Sequence, residues 1–127
     1  MDIGGNLIAP ADVLLWEGLG LMEAVWEGQG GHPRLGRRLR SLLHEAGFVD
    51  VAASASYEPY GDPEAVHFIG QIAAGRCREP DFVEQVVGRG LASRERLEEI
   101  HSAWLRWTER PDAFSAIAHG EAVGRKP

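Results

Sequence analysis

Apolar positions along the chain fall into five stretches of helical period and two of strand period. Leu15, Leu19, Met22 and Trp26 recur at i, i+4, i+7 and i+11, one face of a helix that starts near Pro10. Leu14, Leu21 and Val25 widen that stripe, which predicts a helix covered on more than one side. Gly18 and Gly20 interrupt it at about 1 kcal/mol each relative to alanine, so close packing against a neighbour is expected there. Gly28, Gly30 and Gly31, followed by Pro33, end the helix. A second helix is predicted over 33–46 on the stripe Leu35, Leu39, Leu42 and Ala46, stopped by Gly47 with φ > 0.

Val49, Val51, Ala53, Ala55 and Tyr57 then alternate with Asp50, Ala52, Ser54 and Ser56, the period of a strand. Asp62-Pro63-Glu64 supplies a cap, a first-turn proline and an acid for a third helix, lined inside by Val66, Ile69, Ala73 and Cys77. Pro80 opens a short fourth helix on Phe82, Val83, Val86 and Val87, ending at Gly88 or Gly90. Ser93 caps a fifth, with Leu97, Ile100, Trp104 and Trp107 as its stripe. Residues 113–123 read as a final strand, Ala-rich and of weak propensity. The fold class is therefore α+β, mostly helical, with a late antiparallel strand pair. Two strands alone make a poor sheet, so part of the sheet is expected elsewhere or from another chain.

Composition narrows the function classes. The chain has 127 residues, enough for one domain, and a net charge of −6. Of its 13 basic residues only Lys126 is lysine, and no basic run or aromatic–basic interleaving marks a nucleic-acid surface. The arginine bias with many alanines and glycines points to a bacterial, GC-rich source. A start of Met1-Asp2-Ile3-Gly4-Gly5 and the lack of a long apolar run predict neither signal peptide nor membrane span. Cys77 stands alone, which suits a reducing cytoplasm and leaves no disulfide or cysteine-based zinc site. His32, His44, His67, His101 and His119 form no ligand-spaced pair, so no metal is expected. Glu95, Glu98 and Glu99 read as a solvated helix face. Arg34, Arg37, Arg38 and Arg40 lie at the positive end of a helix, an unfavourable place that predicts a partner carboxylate. Most tryptophans are expected in the core.

The block Gly36-Arg37-Arg38-Leu39-Arg40-Ser41-Leu42-Leu43-His44-Glu45-Ala46-Gly47-Phe48-Val49-Asp50-Val51 resembles the late helix and sixth strand of class I S-adenosylmethionine-dependent methyltransferases. The group it is similar to makes small molecules, as the ubiquinone and menaquinone enzymes do. Residues 114–127, with the ending Gly124-Arg125-Lys126-Pro127, resemble that family's final, antiparallel seventh strand. Gly4-Gly5-Asn6-Leu7-Ile8-Ala9-Pro10 looks like the loop leaving its fifth strand, and 62–110 like a helical insertion used as a substrate lid.

The resemblance implies one partial methyltransferase-like domain over 1–127, equivalent to the C-terminal part of a Rossmann-like sheet. It implies S-adenosylmethionine for the complete family, but the half that holds this cofactor, with its acid and Gly-x-Gly-x-Gly loop, has no counterpart here. Glu17-Gly18-Leu19-Gly20 imitates that loop, yet Met22 replaces the third glycine and the helical stripe runs on to Trp26. No cofactor-binding and no catalytic residue is therefore expected, and methyl transfer is not expected of this chain alone. The resemblance places Asn6, Tyr57, Tyr60 and His67 toward substrate, with His119 on the last strand. Expected partners are a second copy or a companion N-terminal half, and an apolar small molecule. The alternative is a self-standing small-molecule-binding or dimerisation module derived from a methyltransferase.

Overall fold

Short polar side chains start most of the long helices. In the computed structural model, which describes residues 1–127, helix α1 (Val13–Gly28) begins where the Asp12 carboxylate accepts from the Leu14 amide at 2.8 Å. That start lies beyond Pro10, because Leu7–Ala9 is drawn into the sheet as strand β1. Helix α2 (Leu39–Glu45) is much shorter than the predicted 33–46 segment. Its expected first turns are a loop and a 3-10 turn, Gly36–Arg38. The physical reason lies in the N-terminal segment. The Pro33 carbonyl accepts from the Ile3 amide at 2.9 Å, and the Arg37 amide donates to the Asp2 carboxylate at 2.9 Å. Both halves of what would be an α-helical bond are therefore occupied by other partners.

Gly47, at φ +87°, ends α2 as its position predicts, and strand β2 (Val49–Tyr60) follows. Helix α3 (Pro63–Arg76) is capped by Asp62, which accepts from Ala65, and helix α4 (Pro80–Gly88) carries proline in its first turn. Helix α5 (Arg94–Thr108) is capped by Ser93, which accepts from Arg96. Strand β3 (Phe114–Arg125) closes the chain.

The late antiparallel pair is present, and β1 makes it a three-stranded sheet of order β1-β3-β2. Strand β3 is antiparallel to both neighbours, with Ile8 opposite Ser115 and Tyr60 opposite Ser115 across its two edges. The alternating segment is a strand as its period predicts, but along β2 only Val51 is buried, and Ala53, Ala55 and Tyr57 are exposed. A register shift between Val49 and Ala52, with Asp50 at φ +52°, bulges the strand, and residues 52–59 are exposed.

The core lies among α1, α3, α4 and α5. Leu15, Val86, Leu97 and Ile100 are its most enclosed side chains. Trp104 and Trp107 pack edge-to-face at 5.6 Å and 87°, and the Trp107 indole donates to the Ala9 carbonyl at 3.0 Å. Trp16, by contrast, is exposed. Gly18 has the close neighbour its position predicts, since a Cβ there would sit 2.9 Å from Ile100. Gly20 faces open space. Gly70 lets α3 cross α5, where a Cβ would collide with Thr108. No helix is long and apolar enough to cross a membrane.

Candidate functional site

Alternation along β3 gives the sheet two unlike faces. Ser115, Ile117, His119 and Glu121 share one face with Ile8 of β1 and with Ser54, Ser56, Glu58 and Tyr60 of β2. Near β1 this face is apolar and meets α1 and α3. There it forms the floor of a cavity of about 240 Å³. Leu19, Met22 and Trp26 of α1 supply one wall. Ile69, Ile72, Ala73 and Arg76 of α3 supply the opposite one, and Phe82 and Trp104 come in from α4 and α5. Twelve of the sixteen lining residues are hydrophobic. A few polar groups in an apolar cleft are the usual make-up of a small-molecule site. A broader depression over α5 is lined by Glu95, Glu98, Glu99, Arg94 and Arg106, with Leu14 its one apolar member; it is a solvated charged surface.

Two of the cavity's polar groups have partners within the chain. The Asn6 side-chain oxygen accepts from the Ala118 amide at 2.9 Å, which fixes its orientation against β3. The Cys77 thiol points back to the Ala73 carbonyl at 3.7 Å. Burial, with a contribution from the Glu98 charge, pushes that thiol up to about 11, so it stays protonated at neutral pH and is a poor nucleophile. Arg76 has one carboxylate neighbour, Glu79, at 3.9 Å.

The four residues that the resemblance places toward substrate separate in space. Asn6 lines the cavity. Tyr60 lies on the same sheet face but on the far strand, half-buried, with its phenol raised above the ordinary value by burial and by a hydrogen bond to Glu58. Tyr57 lies on the opposite face, paired with Ala118, and its hydroxyl donates to the Gly5 carbonyl at 3.0 Å. His67 is exposed on α3, outside the cavity lining. His119 sits 3.5 Å from Glu58 on the cavity side of the sheet, again outside the lining.

The sequence pattern did not single out Ile72, Arg76, Ser115 or Ile117. A signal for the first two exists: Ile69, Ile72, Ala73 and Arg76 fall at i, i+3, i+4 and i+7, a second stripe on α3 beside the one that enters the core. Ser115 and Ile117 depend on the register of β3 against β1, which local pattern does not encode.

Other charged groups are structural. Arg37 donates twice to the buried Asp2 carboxylate, and Arg34 pairs with Glu23, so the arginine-rich segment does find carboxylate partners. Arg96 ties α5 to Glu17 of α1 at 2.7 Å. The Glu17-Gly18-Leu19-Gly20 stretch is helical throughout, in the middle of α1. No group of three or more His, Cys, Asp or Glu side chains comes together in a way that could hold a metal ion. No protein-family model and no curated protein matches the chain.

Proposed function

We propose that this chain is the substrate-side segment of a methyltransferase-like, S-adenosylmethionine-dependent small-molecule protein. It supplies the lid and the sheet edge and does not transfer a methyl group by itself. The observation that carries this reading is the strand order. The final strand lies antiparallel between a distal strand at the sheet edge and the short strand Leu7–Ala9, which falls where the resemblance has the loop leaving the family's fifth. Helices α3 to α5 all fall between β2 and β3, where the lid insertion is expected, and α3 forms a wall of the apolar cavity. In this reading the cavity takes the apolar body of the methyl acceptor. Asn6, held by β3, is one polar group of this chain placed to orient it.

The cofactor comes from outside this chain, from a companion N-terminal half. A lone cysteine fits a reducing, cytoplasmic setting. The runner-up, a self-standing binding module, is favoured by one observation: this chain's own residues enclose the cavity.

Calorimetric titration of the purified chain tests the proposal. A neutral aromatic alcohol, 1-naphthalenemethanol, is expected to bind saturably, and S-adenosylmethionine is expected to give no saturable heat. Binding of S-adenosylmethionine at micromolar concentration would place the cofactor in this chain and overturn the proposal. Failure of both the alcohol and its carboxylate counterpart, 1-naphthoate, to bind would remove the cavity as the substrate site.

A further inference from the structure

The cavity carries one charged side chain among its sixteen lining residues, Arg76, and no carboxylate. Arg76 is also weakly engaged. Its one carboxylate neighbour, the Glu79 side chain, is 3.9 Å away, too long for a hydrogen bond, and both groups are partly solvated. By comparison, Arg37, Arg96 and Arg78 hold carboxylates at 2.6, 2.7 and 2.8 Å. The guanidinium of Arg76 therefore keeps donors free beside an apolar enclosure. A planar guanidinium matches a carboxylate oxygen pair, and such charge-assisted bonds are about twice as strong as neutral ones.

We infer that the cavity takes an amphipathic organic anion, an aromatic or alicyclic body with an attached carboxylate, seated with its acid group on Arg76. This deepens the reading of the cavity as the substrate site and rests on it. The apolar body buries against Leu19, Met22, Ile69 and Ile117, and the acid stays at the α3 wall, where its loss of water is compensated by the guanidinium. The overall field of an acidic protein opposes anions, so a preference for one reports the local guanidinium rather than net charge.

A matched pair of probes tests this, 1-naphthoate and 1-naphthalenemethanol, titrated into the wild-type chain, Arg76→Gln and the cavity-filling Ala73→Trp. The wild type is expected to bind the naphthoate several-fold to about tenfold more tightly than the alcohol. Arg76→Gln is expected to erase that preference, costing the naphthoate its several-fold advantage and weakening the alcohol less. Ala73→Trp is expected to lose both ligands with its circular dichroism intact. Equal affinity for the two probes in the wild type, or a preference that survives Arg76→Gln, overturns the anion assignment and leaves the cavity reading standing. If neither probe binds, or if binding survives Ala73→Trp, the cavity reading itself fails and this inference fails with it.

Discussion

Asp2 is one of three polar residues buried in the chain, and its carboxylate accepts from the Arg37 amide at 2.9 Å and from the Arg37 guanidinium at 2.9 and 2.6 Å. These hydrogen bonds, led by the side-chain pair, outweigh desolvation and hold the acid below its ordinary value. A carboxylate depressed on folding stabilises the native state above its unfolded pKa, about 4, and that contribution disappears as pH falls through the folded value. Asp2→Asn is therefore expected to melt at a lower temperature than the wild type at pH 7. The gap should close as the pH falls below the folded value. Melting curves from pH 7 to pH 2 check this; a gap independent of pH would mean that the carboxylate's charge is not what matters. The arginine cluster was legible as needing a carboxylate. Its partner was not, because Asp2 lies 35 residues away in sequence and reaches Arg37 only through the tertiary fold.

Elements meet most closely at two glycines. At Gly120 a Cβ would run into the backbone of Gly36, so β3 and the 3-10 turn before α2 touch main chain to main chain. Backbone cannot rotate out of the way as a side chain can. Gly120→Ala is expected to destabilise by about 1–3 kcal/mol or more. Gly20→Ala, which meets nothing, is expected to stabilise α1 by about 0.4–1 kcal/mol. Denaturant midpoints for the two variants should move in opposite directions. Helices α1, α3, α4 and α5 were legible because long apolar stripes and caps such as Asp62 and Ser93 are local signals. Strand β1 lies in a stretch that looks like a loop, since three residues cannot show a period. The truncation of α2 was illegible for another reason: Asp2 and Ile3 take its hydrogen-bonding groups. The cavity was half legible, its α1 and α3 walls written in helical spacing and its floor dependent on strand register.

The whole molecule leaves one face of its sheet covered only in part. On that face Ala116 and Ala118 are buried, while Leu7, Phe114, Ala53, Ala55, Tyr57 and Pro59 are exposed. Leu7 is 46 % exposed and Tyr57 50 %. The β1 edge opposite β3 carries no strand. An apolar sheet face beside an unpaired edge invites a covering chain. Under the proposed function, a companion half or a second copy continues the sheet at this edge, and the cavity on the other face is the part of the site that this chain brings. With one kind of chain present, two-fold pairing is the default. The most direct measurement is the light-scattering mass of the purified chain across a concentration series. A mass of two chains, or one rising toward two with concentration, is expected. A single-chain mass at every concentration, with no exposed apolar surface detectable by dye binding, would contradict the proposed function and favour a self-standing module.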